Sequence, residues 1–329
     1  MRVVVALGGN ALLHRNQALT ADCQLDNIRI AALQLVAIAR EHDLLITHGN
    51  GPQVGLLALQ AIAYNDVNPE VPPYPMDVLG AQTQGMLGYL LEQELSNLLP
   101  PRRRIATLIT RVEVDLKDPA FDSPSKPIGP VYDPSTAQAL ADSKGWTMAP
   151  DGDGMRRVVA SPKPLRVLNV PTIETLLAKH CVVIAAGGGG VPVARHWETA
   201  ALQGVAAVID KDLTAALLAE QLHADCLIIA TDVDAVYLDW GEHHQIALGQ
   251  VTPDYLAQHH FAGGSMGPKV QAACNFARQT SRPCHIGSLL DLQAMLAGQA
   301  GTTVATDLFQ STRPSYQPER RLYEQAQPH

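Results

Sequence analysis

Short runs of β-branched and aliphatic residues that stop at glycine, each followed by a longer stretch with helical spacing, recur along this chain. That alternation constrains the fold more than any other feature. Arg2–Leu7 (RVVVAL) runs into Gly8-Gly9-Asn10, and Leu44–Thr47 runs into His48-Gly49-Asn50-Gly51-Pro52-Gln53-Val54-Gly55. Cys181–Ala185 empties into Gly187–Gly190, and Cys226–Ala230 ends at Thr231-Asp232-Val233-Asp234. Ile105–Thr110, Pro283–Ile286 and Thr302–Ala305 read as further strands. Between them, residues 22–41 place Leu25, Ile28, Ala32, Leu35 and Ala39 on one helical face. Residues 54–63, 76–99, 213–223 and about 263–279 continue the helical pattern. Apolar strands alternating with helices predict an α/β fold, with a mostly parallel sheet covered on both faces. In such sheets ligands gather at the carboxyl ends of the strands, where the glycines fall.

Three stretches break the rhythm. Residues 118–165 open with five prolines between Asp118 and Pro134 and read as an excursion from the main sheet, with hairpins of its own. Residues 194–205 follow no recognisable pattern, and 307–329 turn polar and lose periodicity. No apolar run reaches the roughly 18 residues needed to cross a bilayer, and the first run is too short for a signal sequence. The five cysteines are scattered without CxxC spacing, and the expectation is buried free thiols in a reducing, cytoplasmic setting. The adjacent pairs His243-His244 and His259-His260 are expected to diverge rather than build a metal cage. A net charge of −8 supplies no general field for nucleic acid or anionic membrane. An anionic substrate must therefore be met by a few placed cations.

Glycines after a strand let backbone N–H groups approach a ligand, and the next helix adds its positive end. Each turn could be no more than a tight turn, but several together point to an anion or phosphate site. The turns at 8–9, 49–55 and 187–190 offer its candidates, among them Gly8, Gly9, Asn50, Gly51, Gly187 and Gly188. There is no GxxxxGK[ST] run, Gly49/Gly51/Gly55 is one residue too long for GxGxxG, and the protein-kinase signatures are missing. Only seven lysines occur, none before residue 117. Three sit in tight contexts: Lys126 in SPSKPIGP, Lys211 in VIDKDL and Lys269 in GGSMGPKV. A lysine is a compact point cation for phosphate oxygens. The bland alternative is a solvated surface lysine. Asp210 and Asp212 flank Lys211; one could pair with it and the other could cap the helix that follows.

ALGGNAL at 6–12, THGNGPQVG at 47–55, SKPIGP at 125–130, RRVVASPKP at 156–164, GGGGVPV at 187–193, AVIDKDL at 207–213 and GSMGPK at 264–269 together resemble carbamate kinase, within the amino-acid kinase fold. The match runs in order over roughly residues 2–305. It implies an open αβα three-layer sandwich within one domain, 1–306. An N-terminal lobe of about 1–205 would carry the protruding excursion, and a nucleotide lobe would span about 206–306. It implies a homodimer, Mg²⁺ with ATP/ADP, and the reaction ATP + carbamate ⇌ ADP + carbamoyl phosphate. By motif, Gly8, Gly9, Asn10 and Gly51 would hold carbamate or the phosphoryl group. Lys126, Lys211 and Lys269 would neutralise charge in flight, with Asp212 orienting them. Asp232, Tyr237, Met266, Lys211 and Lys269 would face the nucleotide.

The related acetylglutamate and uridylate kinases usually place a lysine just before the first glycine pair. Here that stretch is Val5-Ala6-Leu7-Gly8, which leaves Lys126 as the cation supplied from the excursion. Carbamate is itself a nucleophilic anion, so no general base is required, and His48 reads as structural. The alternatives are a sister kinase for another small carboxylate and a catalytically silent nucleotide-binding homologue. The segment 307–329, with Arg313, Arg320 and Arg321, exceeds the family's usual end.

Overall fold

The structure is a computed structural model that describes residues 1–12, 17, 18, 20–263 and 265–307. Beyond residue 307, the expectation of a polar tail falls outside the described residues.

The first strand, β1 (Arg2–Leu7), is apolar on both faces because both faces are covered. Val3, Val4, Val5, Ala6 and Leu7 are all fully buried. It pairs in parallel with β2 (Asp43–His48), Leu7 opposite His48, and with β12 (Cys226–Thr231), Leu7 opposite Ala230. The intervening strands are β3 (Ile105–Thr107), β4 (Arg111–Glu113), β5 (Lys126–Tyr132), β6 (Thr147–Asp151), β7 (Gly154–Val159), β8 (Arg166–Val167), β9 (Val182–Ile184), β10 (Val191–Arg195) and β11 (Leu202–Gly204). After β12 come β13 (Val236–Leu238), β14 (Ile246–Leu248), β15 (Gln250–Val251), β16 (Cys284–Ser288) and β17 (Thr302–Val304). Eight strands form the main sheet in the order β15-β17-β16-β12-β1-β2-β9-β3. All its pairings are parallel except β16 with β17. Chain order reverses across β1, which places a crevice at the carboxyl ends of β1, β2 and β12.

The main helices are α1 (Gly9–Leu12), α2 (Ala21–Glu41), α3 (Gly51–Val67), α4 (Met76–Leu98), α5 (Pro134–Lys144), α6 (Val170–Leu177), α7 (Lys211–Gln221), α8 (Pro253–Leu256), α9 (Met266–Thr280) and α10 (Leu292–Leu296). Side chains alternate across a strand, so successive residues of the central strands feed different cores. Val4, Leu45, Val183 and Ile229 pack with Leu218 of α7 and Phe276 of α9. Val3, Leu44, Ile46 and Ile228 pack with Leu35 of α2, Leu91 of α4 and Met295 of α10. The expected covered, mostly parallel sheet is therefore present. Four of the five cysteines are buried and all are free thiols.

Two expectations need correction. Ile105–Thr110 is not one strand. At Thr110 the Gln84 carboxamide takes over the backbone: Thr110 N–H donates to Gln84 Oε1 (2.8 Å) and Gln84 Nε2 donates to the Thr110 carbonyl (3.3 Å). The chain then leaves the main sheet for a second one, β11-β10-β4-β8. Residues 194–205 are the patternless edge of that sheet, an antiparallel β10–β11 hairpin. The residues of β11 are all exposed, so no apolar alternation marks them. A smaller difference is that α3 and α7 start at Gly51 and Lys211, so both glycine- and charge-rich motifs are helix N-termini rather than preceding loops.

The excursion does form its own sheet, β5-β7-β6, antiparallel and flanked by α5. A bulge at Ile128/Val131 contains Gly129 in the left-handed region (φ +70°). This bulge presses on α3 so closely that a Cβ on Gly55 would lie 2.4 Å from the Gly129 nitrogen. Backbone-to-backbone seating of this kind fixes where β5 delivers its first residue, Lys126.

Candidate active site

Three glycine turns meet at the carboxyl ends of the strands. Gly8 N–H donates to the Ala230 carbonyl (2.9 Å) and Gly49 N–H to the Leu7 carbonyl (3.0 Å), extending the ladder past the strand ends. A Cβ on Gly49 would sit 2.8 Å from the Gly9 nitrogen. After β9 the backbone turns left-handed at Ala186, Gly188, Gly189 and Gly190, a run that side chains would resist. Ala186 is held on both sides: its carbonyl accepts from Thr47 Oγ1 and its N–H donates to Thr110 Oγ1, each at 2.9 Å. Gly187 lies over the His48 ring and Gly188 over the Asn50 amide; a Cβ at either position would collide with them at 2.4 Å or less. Gly189 abuts the Ile209 carbonyl, and its own carbonyl accepts from Thr214 Oγ1 at 3.0 Å. Contact thus runs without a gap from Gly9 to the first turn of α7.

That first turn gathers the lysines. Asp210 caps α7, its Oδ1 accepting from the N–H groups of Asp212 (2.9 Å) and Leu213 (3.2 Å). Its Oδ2 accepts from Lys126 Nζ at 2.6 Å. Asp212 bridges the other two, with Lys211 Nζ 2.5 Å from Oδ1 and Lys269 Nζ 3.2 Å from Oδ2. Both aspartates therefore position lysines, and Asp210 also caps; the sequence had left these jobs unassigned. Three ammonium groups meet two carboxylates here, leaving one unit of excess positive charge beside a helix N-terminus.

Burial would raise the Asp212 carboxyl, but the charges of Lys211 and Lys269 override it and hold the pKa down at about 2. Lys211 is lowered from its ordinary value, chiefly by burial, with Asp212 opposing and Lys269 adding to the effect. His48 is pushed down to about 4 by burial, a shift the Gly49 carbonyl at 3.0 Å opposes and the Lys211 charge assists. The imidazole is thus buried, neutral and wedged under Gly187.

The other candidates are placed as follows. Asn50 is buried and donates to Thr83 Oγ1 (2.8 Å), so its amide supports the turn. Gly51 opens α3 and Asn10 lies in the short α1. Asp232 follows β12, where its Oδ1 accepts from Thr231 Oγ1 (3.0 Å). Tyr237 donates to Asp234 Oδ1 (2.8 Å) and meets Trp240 edge-on at 5.0 Å. Met266 opens α9, the helix whose first turn carries Lys269. Thr47, Thr83, Gln84 and Thr110 hold the turns and were not foreseen; isolated polar residues in buried segments were their only signal. Contrary to expectation, the ligand atoms of His243, His244 and Glu242 lie within 4.8 Å of one another, on an exposed loop.

A sequence model of the amino acid kinase family matches residues 1–288. The chain is 54% identical over 304 residues to the carbamate kinase of Haemophilus influenzae, covering 92% of this chain and 96% of that protein. It is 52% identical over 307 residues to the carbamate kinase of Rhizobium meliloti, covering 93% and 94%. Among solved structures, carbamate kinase from Giardia lamblia bound to AMP-PNP superposes with a TM-score of 0.84 at 37% identity, covering 93% of this chain and 98% of that one. With the family model spanning most of its length and carbamate kinases matching it at more than half identity, the chain belongs to the amino acid kinase family and, within it, to the carbamate kinases.

Proposed function

We propose that this carbamate kinase performs reversible in-line phosphoryl transfer between ATP and carbamate, with the α7 lysine cluster as its electrostatic centre. A carbamate oxygen attacks the γ-phosphorus, the bond to the ADP oxygen breaks, and ADP leaves with that electron pair. The observation that carries this is the convergence of Lys126, Lys211 and Lys269, from three separate segments, on Asp210 and Asp212. Such a transfer leaves little covalent work for the protein; positioning and charge stabilisation provide most of the rate. Gly9 and Gly51 supply backbone N–H groups for the transferring group and carbamate, and Gly8, whose N–H is taken by the Ala230 carbonyl, shapes the turn around them. Asp232, Tyr237 and Met266 line the nucleotide side. The nucleophile is already an anion, so His48, held neutral by burial, has no proton to accept.

Mg²⁺ belongs with the nucleotide as substrate. The cluster's carboxylates are committed, Asp212 to two ammonium groups and Asp210 to Lys126 and two N–H groups. The ion is therefore carried on phosphate oxygens and water, as it commonly is. The same reading includes a homodimer working in the cytoplasm; no helix among the described residues is long and apolar enough to cross a membrane.

The deciding assay is ATP formation from ADP with carbamoyl phosphate, acetyl phosphate or acetylglutamyl phosphate, with Mg²⁺ present and omitted. Preference for carbamoyl phosphate, dependent on Mg²⁺, supports the reading. Preference for another acyl phosphate, or nucleotide binding without turnover, overturns it.

A further inference from the structure

The opposite edge of the main sheet, at the amino ends of the strands, holds a cleft of about 490 Å³. Its basic lining consists of Arg40, Arg102, Arg103, Arg104 and Lys179 with His180 beside them, and no carboxylate among the described residues lines it. In a chain of net charge −8 this is a local reversal of sign. The cations come from three segments: the end of α2, the α4–β3 connection and the α6–β9 connection. Like charges brought together by separate segments repel, and an anion held among them would relieve that repulsion.

Arg103 is the member of this lining that is anchored to the fold. Its Nη2 donates to the His42 carbonyl at 2.8 Å, which fixes the guanidinium, while its Nε is buried without a hydrogen-bond partner among the described residues. The nearby Asp43 is already engaged, its Oδ1 lying 2.9 Å from His180 Nδ1. Leu99 and Pro100 provide an apolar wall beside the cations.

We propose that this cleft is a second anion-binding site, distinct from the catalytic centre, for a small molecule carrying two or more phosphoryl groups. Guanidinium forks match phosphate oxygens in pairs. The cleft falls within the roughly 300–1,000 Å³ of small-molecule sites, well beyond the needs of a lone phosphate. It opens where β2, β3 and β9 begin, and β2 and β9 lead to the His48–Gly51 and Gly187–Gly190 turns. The six residues of β2 separate the two sites by about 20 Å.

Inorganic pyrophosphate, measured by equilibrium dialysis against ADP-saturated protein, is the probe. We expect one pyrophosphate per chain to bind in a salt-sensitive way, to persist in K211A, and to weaken at least tenfold in R102A/R104A. R102K/R104K, which keeps charge but loses the forks, should fall between. Because Arg102 and Arg104 are exposed and remote from the lysine cluster, kcat without pyrophosphate should be unchanged in both double variants, which also reports intact folding. If R102A/R104A misfolds, the comparison rests on R102K/R104K alone. Absence of saturable binding, binding abolished by K211A, or equal affinity in the arginine variants overturns the site. So does weakened self-association of R102A/R104A with pyrophosphate binding intact, which would assign the cleft to contact between copies.

Discussion

The cluster's three lysines come from two differently built regions. Lys211 and Lys269 sit on α7 and α9, helices packed together on the main sheet, and share the two oxygens of Asp212 with side chains only 10% and 15% exposed. Lys126 arrives from the small antiparallel sheet of the excursion, is 31% exposed, and is held by the single carboxylate Asp210. The first region is fixed by burial on every side. The second depends on a docking contact, the Gly55–Gly129 approach, to place its cation. The difference teaches that Lys126 owes its place to a single docking contact between two sheets, whereas Lys211 and Lys269 are placed by the main sheet's own helices.

The comparison can be broken from either side. Lys211→Ala should lower kcat by on the order of 10²–10³, as when a preorganised donor is lost, and steady-state ATP synthesis checks it. Gly55→Ala is aimed at the docking contact alone. The new Cβ has no room against the Gly129 backbone, so the excursion must shift, and kcat should fall by on the order of 10². ADP affinity, measured by calorimetry, should stay unchanged, because the α7–α9 platform is not touched.

Acid should unfold the platform's surroundings in a defined window. Burial lowers His48 and His285 to about 4. Below the ordinary 6.5 the unfolded chain binds protons that the folded chain refuses, so stability is complete above that value and falls as pH drops toward 4. Each histidine should cost roughly 2 kcal/mol by about pH 5. His285→Gln should remove about half of this slope in denaturant titrations. The smallest effect belongs to Lys163→Ala. Lys163 is exposed, with its backbone N–H on Asp118, and its side chain is outside the cluster; kcat should stay within about twofold.

The central sheet was legible because its strands are buried on both faces and therefore read as unbroken apolar runs ending in glycine. The β11-β10-β4-β8 sheet was not, because its edge is exposed and carries no periodicity. The break at Thr110 was hidden for another reason: it is made by the side chain of Gln84, on a helix residues earlier in the chain. In the site, the three lysines stood out by their scarcity and their contexts, Lys126 and Lys269 next to proline and Lys211 between two aspartates. The pairing could not be read, since Lys126 finds Asp210 across 84 residues. The amino-edge cleft was invisible for the same reason, as its cations lie in three distant segments that mean nothing until the sheet aligns them.

Lys126 carries the sharpest test, because of the three lysines it is the one delivered from the excursion. ATP synthesis from ADP and carbamoyl phosphate should be measured for Lys126→Ala beside the unmodified enzyme, with circular dichroism confirming the fold. A kcat lower by on the order of 10²–10³, with ADP affinity retained, is the predicted outcome. A correctly folded Lys126→Ala that turns over at the wild-type rate would contradict the proposal that these separate cations act together on the transferring phosphoryl group.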